Sequence, residues 1–248
     1  MRAIGRPWSM IAVGVFLLLV ISRIPASAVS WFLPSAVGMT GLSGTLWSGQ
    51  ALRSWWGFAD QHIVLGRVEW QIEPWRMFWS TPLSFNSEWG GQRLEARLAY
   101  LPGGHIRLTD AYLNFDTQML RALLPFYIDG RFSGRFSVVE LEGKQVRRAS
   151  GKALLDGAVW TAKSGDIPLG SYHLDVDSGS ADGVVVGVMK TLGGSLQLAG
   201  EVTLRPNAYQ ISLQAAGPVA VDDSFRGAVA MLATPTSTGF TINLEGTY

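Results

Sequence analysis

The stretch VLGRVEWQI, residues 64–72, decides the fold class because its apolar and polar side chains alternate. Its apolar face is predicted to carry Val64, Val68, Trp70 and Ile72. Side chains of a β-strand point alternately to its two faces, so a period of two predicts a strand with one buried face. The stretch is therefore interpreted as a half-buried β-strand.

The same alternation recurs from residue 93 to the end of the chain. It is clearest in residues 93–101, 172–177, 196–204, 209–214 and 240–245. About a dozen such segments, separated by turn residues, are typical of antiparallel strands joined by hairpins. We therefore expect a mainly β fold in which one large, curved antiparallel sheet or half-barrel makes up most of the chain.

Two segments break the alternation and predict short helices. Residues 115–126, FDTQMLRALLPF, offer Asp116 as an N-cap and Pro125 as a terminator. Residues 73–79, EPWRMFW, place Pro74 where the first helical residue would be. The expected fold thus has one or two short helices beside the sheet.

Composition argues against nucleic-acid binding and against thiol chemistry. Only 16% of the 248 residues are charged, below the roughly 25% of typical soluble domains. Three arginines are the only charged residues before residue 25, which leaves 17 basic and 19 acidic residues in the remainder. This balance offers no basic stripe for a phosphate backbone. The chain has no cysteine, which excludes disulfides and thiolate catalysis.

The sequence lacks the patterns that catalysis and metal binding need. His62, His105 and His173 are more than forty residues apart, whereas zinc needs three or four closely placed ligands. There is no G-x-S-x-G, no phosphate-binding G-x-x-x-x-G-K-[ST], and no G-x-G-x-x-G at a strand–helix boundary. We therefore expect a non-enzymatic protein that uses no cofactor and no metal.

The N-terminal segment is predicted to direct export in one of two ways. Residues 10–21 are almost wholly apolar, with arginines before them and Arg23 after them. Their length fits a signal-peptide core, with residues 26–28, Ala-Ser-Ala, as the cleavage site. Trp8 and Arg23 could instead extend the run into a membrane anchor. In both cases the basic N-terminus stays in the cytoplasm and everything after residue 25 is exported.

A glycine-rich stretch, GLSGTLWSGQA at residues 41–51, follows this segment. It lacks the lysine and the following helix that a phosphate loop or a nucleophilic serine requires. Gly44 and Gly49 would let a strand bend or be approached closely, and Trp47 would insert as a packing anchor. We interpret residues 44–52 as the first bent strand of the exported sheet.

Together these features resemble the type II secretion system protein N family, also called general secretion pathway protein N. The resemblance rests on a G-T-L-W-x-G segment followed by a W-x-φ-x-P strand, and it spans nearly the whole chain. The matching residues are Gly44, Thr45, Leu46, Trp47, Gly49, Trp70, Ile72 and Pro74. These residues are structural in type, so they are expected to pack rather than to react.

The resemblance implies a bitopic inner-membrane protein of a Gram-negative bacterium. It would take part in exporting folded proteins across the outer membrane through contacts with other secretion subunits, and an uncleaved anchor becomes the expected N-terminus. The expected divisions are a cytoplasmic tail at residues 1–7, a transmembrane anchor at 8–24, a linker at 25–40 and a periplasmic β domain at 41–248. Expected partners are other subunits and inner-membrane lipid, with neither nucleic acid nor metal.

Tryptophan is concentrated in the first half of the chain, with eight of ten residues between Trp31 and Trp89. These would form either a bulky core or an aromatic surface beside the bilayer or a lipid-sized groove. The candidate interface or groove residues are Trp55, Trp56, Trp75 and Trp79. Two alternative functions follow: a lipid-binding or lipid-transfer module tethered to the inner membrane, whose sheet would hold an open, dry groove, and an outer-membrane β-barrel released by cleavage after Ala28.

Overall fold

A computed structural model describes residues 6–58, 61–78, 81–101, 103–120, 128–143, 145–162, 165–179 and 183–247. Within these ranges the helices are α1 (Arg6–Ser22), α2 (Asp223–Val229) and four short 3-10 helices. The 3-10 helices are Ala26–Trp31, Pro74–Phe78, Thr117–Leu120 and Val219–Val221.

The same ranges contain fourteen strands. The first seven are β1 (Val37–Gly44), β2 (Ser48–Phe58), β3 (Gln61–Ile72), β4 (Leu83–Trp89), β5 (Gln92–Leu101), β6 (His105–Asp116) and β7 (Ile128–Glu142). The others are β8 (Gln145–Ala162), β9 (Gly165–Ser178), β10 (Val185–Gly193), β11 (Gln197–Arg205), β12 (Ala208–Ala216), β13 (Thr234–Pro235) and β14 (Gly239–Thr247).

All fourteen strands form one antiparallel sheet in which neighbours along the chain are neighbours in the sheet from β1 to β12. The order changes only at the end, where β14 lies between β12 and the two-residue strand β13. Strands account for 67% of the chain, so the prediction of a mainly β fold with one large antiparallel sheet is confirmed.

The register gives the sheet one polar face. A single row of cross-strand neighbours runs through eight strands from β2 to β9. Its members are Gln50, Glu69, Asn86, Glu95, Tyr112, Arg135, Lys152 and Asp175. Because directly opposed residues lie on the same face, this row defines the polar face, and the alternate positions of each strand define the apolar face.

One predicted face assignment in β3 is wrong. Val64 was predicted to share a face with Val68, but Val64 is 40% exposed while its neighbour Ile63 is 9% exposed. Gly66, with φ of +74°, lies between Val64 and Val68, at the point where the register of β3 with β2 shifts. Such a bulge adds one residue to the strand and reverses the alternation on one side of it.

Of the two predicted helices, one is present and the other is described only in part. Residues 74–78 form the expected helical turn, with Pro74 in the first position. Of the longer predicted helix, only the 3-10 turn Thr117–Leu120 is described, since residues 121–127 lie outside the described ranges. Helix α2 was not predicted, although Asp222 caps it by accepting a hydrogen bond from Phe225 N at 3.0 Å.

The N-terminal helix α1 has 17 residues. Among the described residues, no helix meets both the length and the apolarity that crossing a membrane would demand. The side chains of α1 from residue 10 onward are exposed, including Phe16 at 65% and Leu18 at 68%. Residues 25–40, expected as a linker, contain the 3-10 helix Ala26–Trp31 and the start of β1.

The larger hydrophobic core lies at the C-terminal end of the sheet. There α2 and the 3-10 helix Val219–Val221 pack against strands from β8 to β14. Phe225 from α2 makes an edge-on ring contact with Trp160 at 5.1 Å and a tilted one with Phe240 at 6.0 Å. We call this set the C-terminal core.

A second, smaller core lies at the N-terminal end. Ala26 of the first 3-10 helix packs with Ala51 and Trp70, and these three residues are buried. Met39, Leu42 and Ile72 are among the partly buried side chains around them. We call this set the N-terminal core.

Tyr172, in the C-terminal core, predicts how stability depends on alkaline pH. Its hydroxyl donates to Leu196 O at 3.0 Å, and burial raises its pKa from 10.0 to about 12. Between these values the unfolded chain loses the proton while the folded chain keeps it, so the free energy of unfolding should fall as pH rises from 10 to 12. Tyr172→Phe should reduce this fall, as urea unfolding of the detergent-solubilised chain at pH 8 and pH 11 would show.

The matched control is Tyr100→Phe, because Tyr100 lies on the surface of β5. This variant should keep the pH dependence of the unmodified chain. Equal losses of stability between pH 8 and pH 11 in the unmodified chain and Tyr172→Phe would contradict the assignment.

Candidate functional site at the first hairpin

The hairpin between β1 and β2 turns within four residues, which we call the hairpin tip (residues 45–48). The prediction of one bent strand over residues 44–52 is therefore wrong, because these residues contain the end of β1, the tip and the start of β2. Thr45 N donates to Ser48 O at 2.8 Å, and Ser48 N donates to the Thr45 hydroxyl oxygen at 3.2 Å. The turn is therefore closed by its own first and last residues. The peptide groups of Leu46 and Trp47, between them, are left to bind other parts of the chain.

Gly44 is needed for the chain to enter this turn. Its φ is +91°, a conformation that side chains larger than glycine's rarely adopt. A Cβ added there would lie 2.6 Å from Ser48 O. Both the backbone conformation of Gly44 and the lack of room for a side chain beside Ser48 thus require glycine.

Gly49 is needed for a different reason, because the ring of Trp70 lies directly on it. A Cβ at Gly49 would lie 2.5 Å from Trp70 Cζ2 and 2.8 Å from Thr45 O. Trp70 comes from β3, where it faces Gly49 across the ladder. The absence of a side chain at Gly49 lets this large indole enter the N-terminal core.

The hairpin tip binds the end of helix α1 and the residues after it. Trp47 Nε1 donates to Ile21 O, and Leu46 N donates to Ile24 O, each at 2.8 Å. Pro25 also forms an isolated antiparallel bridge with Thr45. Ile21 O also accepts from Ile24 N at 3.3 Å, so Trp47 adds a second hydrogen bond to a carbonyl at the end of α1.

The other side of the hairpin tip binds β3. Trp70 Nε1 donates to Leu46 O at 3.0 Å, and Ile72 N donates to Trp47 O at 2.6 Å. Pro74, two residues after Ile72, is the first residue of the 3-10 helix Pro74–Phe78. Leu46 and Trp47 therefore each bind α1 or its continuation on one side and β3 on the other, and the tip joins three parts of the chain.

The structure brings together the residues that the resemblance singled out. Gly44, Thr45, Leu46, Trp47, Gly49 and Trp70 belong to the hairpin tip or contact it, and Pro74 lies two residues beyond its last β3 partner, Ile72. Sequence reasoning missed Ile21 and Ile24, the two residues that bind the tip from the α1 side. They take part through backbone carbonyls, which carry no side-chain signature.

Trp55 and Trp56, two of the proposed interface tryptophans, lie on opposite faces of β2. Trp55 is half-buried and its ring covers Gly38, whereas Trp56 is exposed on the next position of β2. Trp75 is exposed on the 3-10 helix Pro74–Phe78. Trp79 lies outside the described residues. Successive side chains of a strand point to opposite faces, which separates Trp55 from Trp56.

The polar face of the sheet is the second feature with functional potential. Two concavities of about 680 and 1070 Å³ lie along it, and both include Glu95 and Asp110. We call this continuous surface the polar groove. It runs over strands β1 to β9, so it is bordered by charged side chains from both halves of the chain.

Charged side chains in and beside the polar groove mostly pair with one another. Arg97 lies 3.3 Å from Asp110, and Asp175 lies 3.1 Å from His173 and 3.5 Å from Lys152. The hydrogen bond from His173 holds the pKa of Asp175 below its usual value. In the part of the chain that the structure describes, no group of three or more His, Asp or Glu side chains could hold a metal ion.

The comparisons with known proteins identify one relationship. A family model described as type II secretion system (T2SS), protein N, matches residues 35–243. No curated protein and no solved structure matches the chain. The matched region begins before β1 and ends within β14, so it contains the hairpin tip, β3 and the polar groove.

Gly49 should tolerate no larger residue. We expect Gly49→Val to destabilise the chain by about 1–3 kcal/mol, because overpacking in a filled core costs about that much. Urea unfolding of the detergent-solubilised chain, followed by tryptophan fluorescence, would measure the change. Ser48→Ala is the matched control, since Ser48 is exposed and uses its backbone groups in the turn. Equal midpoints for the two variants would contradict the proposed packing.

Trp47 should hold helix α1 in place more than it holds the sheet together. Trp47→Phe keeps an aromatic ring, although a smaller one, and removes the hydrogen bond to Ile21 O, worth about 0.5–1.5 kcal/mol. Since the chain has no cysteine, spin labels can be attached at Leu18→Cys and Glu69→Cys alone. We expect Trp47→Phe to broaden the measured distance distribution between them.

The control for this measurement is Trp75→Phe, which changes an exposed tryptophan near the same end of β3. It should leave the distance distribution unchanged. If Trp47→Phe gave the same narrow distribution as the unmodified chain, the bond to Ile21 would not fix the helix.

Proposed function

The chain belongs to the type II secretion system protein N family, and from this premise we propose that it is a non-enzymatic inner-membrane component of that system. In this role it supports the export of folded proteins from the periplasm across the outer membrane. It acts through contacts with other subunits of the machine. The observation that carries the proposal is the family match over residues 35–243.

The proposed membrane placement rests on helix α1 and its attachment. The helix presents apolar side chains on all sides from residue 10 onward, and the described part of the protein leaves them exposed. At 17 residues it is about 26 Å long, somewhat less than the hydrocarbon core of about 30 Å. The exposed Arg23 at its C-terminal end can extend toward the membrane surface. The N-terminus is then cytoplasmic and the sheet periplasmic.

In this placement the hairpin tip fixes the sheet to the membrane helix. Because Trp47 and Leu46 bind Ile21 and Ile24 directly, the sheet follows the helix without a free connection between them. In the proposed role, the family residues hold the periplasmic sheet at a defined distance and angle from the inner membrane. Partner subunits would then meet a surface with a constant orientation.

Protein contacts are favoured over lipid binding by the chemistry of the polar groove. A lipid-binding module needs a dry, apolar groove. The concavity of about 680 Å³ is lined mostly by polar side chains, whereas the one of about 1070 Å³ combines charged side chains with apolar ones such as Phe136 and Leu154. The groove also supports a non-enzymatic role. Its charged groups form mutual ion pairs, such as Arg97 with Asp110 and Lys152 with Asp175.

Deleting the gene should abolish or strongly reduce secretion of a folded substrate of the system, while periplasmic levels of that substrate rise. The measurement is the substrate's distribution between culture supernatant and periplasm. The full-length chain and Ser48→Ala should restore secretion when supplied in trans. Normal secretion in the deletion strain would overturn the proposal.

Fractionation tests the membrane placement separately. We expect the chain in the inner-membrane fraction, resistant to carbonate extraction, with its original N-terminal sequence apart from the initiating methionine. A mature protein that begins at Val29 would contradict an uncleaved anchor. The secretion assay would still stand in that case, because it does not depend on how the chain is held.

A further inference from the structure

The two ends of the sheet differ in how their outer edges are treated. An edge strand presents unpaired backbone N–H and C=O groups that can pair with another chain, and proteins commonly block such edges. At the β1 end, Pro25 bridges Thr45, and Gly41 and Gly44 have φ of +69° and +91°. These features occupy one end of the β1 edge and bend the rest of it.

Among the residues that the structure describes, the β14 end is protected over only part of its length, by the short strand β13 with Pro235. Strand β13 pairs only with Phe240 and Thr241, so residues 242–247 of β14 have a strand neighbour on the β12 side alone. No glycine of β14 has a positive φ. The register of β14 with β12 also contains no bulge up to the last described residue.

We propose that this outer edge of β14 is a docking site for one β-strand of a different protein, which adds to the sheet in antiparallel or parallel pairing. The inference rests on the proposed function, in which the chain acts through contacts with other secretion subunits. Strand addition takes its affinity from backbone hydrogen bonds and its specificity from alternate side chains.

Side chains along β14 indicate the chemistry of the partner strand. Ile242 packs against the C-terminal core and is only partly buried, as is Leu244. Asn243 and Glu245 lie exposed on the opposite face, where they bond to Ser212 and Gln210 of β12. The fitting strand therefore alternates apolar and polar residues, and its apolar side chains extend the C-terminal core. It carries no acidic residue opposite Glu245, because like charges directly opposed are destabilising.

A second copy of the chain fits this edge poorly. In a symmetric antiparallel pair of β14 strands, opposed residues must lie on the same face of the combined sheet. The pair can therefore be centred only on a residue that lies opposite its own copy. Centring the pair on Glu245 would oppose two carboxylates. Centring it on Leu244 would place Thr247 against Thr241 of the second copy, where β13 already pairs. That leaves only residues 242–246, whereas a strand from another protein could pair with all of residues 242–247.

Head-to-tail pairing of two copies is disfavoured as well. It would join β14 of one copy to β1 of the next, and the β1 edge is partly occupied by Pro25 and bent at Gly41 and Gly44. Self-association is therefore disfavoured at both edges. A strand from another protein remains the occupant that the edge of β14 fits.

Photocrosslinking from single cysteines tests this inference, because the chain has no cysteine of its own. Asn243→Cys or Glu245→Cys in the full-length chain is labelled with benzophenone maleimide in membranes from cells that contain the whole secretion system. Glu201→Cys is the matched control, since Glu201 is exposed in the same register row as Asn243 but two strands inside the edge.

We expect at least about fivefold more adduct with one other protein from position 243 or 245 than from position 201, since cross-strand neighbours lie only about 4.5–5.5 Å apart. A synthetic peptide of residues 239–247 should suppress that adduct by occupying the partner strand, whereas a scrambled peptide should not. An adduct of twice the mass of the chain, or equal yields at all three positions, would overturn the inference.

The secretion assay separates this inference from the proposed function. If deletion abolishes secretion but β14 gives no specific adduct, the docking edge is wrong and the secretion role stands. If deletion leaves secretion intact while the adduct forms, the edge docks a partner outside the proposed role.

Discussion

The contact between the Trp70 indole and the backbone of Gly49 is the constraint on which the first third of the molecule depends. Because the ring lies where a side chain at Gly49 would be, β2 and β3 come close enough for Trp70 Nε1 to reach Leu46 O. The tip is then held so that its outward groups meet Ile21 and Ile24. One missing side chain thus determines how the helix and the sheet are joined.

Most of the fold could be predicted from period-two alternation, but the exceptions have local physical causes. Val64 was assigned to the wrong face because one glycine with positive φ, Gly66, adds a residue to β3. Helix α2 escaped prediction because it has only seven residues, too few to show a helical period. Its cap at Asp222 was the only available signal.

The candidate site shows a different limit of sequence reasoning. The resemblance identified Gly44, Trp47 and Trp70 as structural residues, and their types alone explained why no reaction was expected of them. The contact between Trp47 and Ile21 joins residues 26 positions apart through a backbone oxygen. Neither periodicity nor composition records such a contact, since any residue could supply that carbonyl. Only the folded arrangement shows that the family residues connect a helix to a sheet.

The strand order also has a consequence for how the protein is made. If the sheet is exported behind an N-terminal helix that stays in the membrane, its strands emerge in order and each meets its pairing partner in turn, because β1 to β12 are neighbours both in sequence and in the sheet. No early strand must wait for a distant one, and contacts between near neighbours form quickly. The N-terminal core, which uses residues no later than Leu83, could form before the C-terminal half of the chain is available. The strand order thus permits the sheet to assemble stepwise from its N-terminal end.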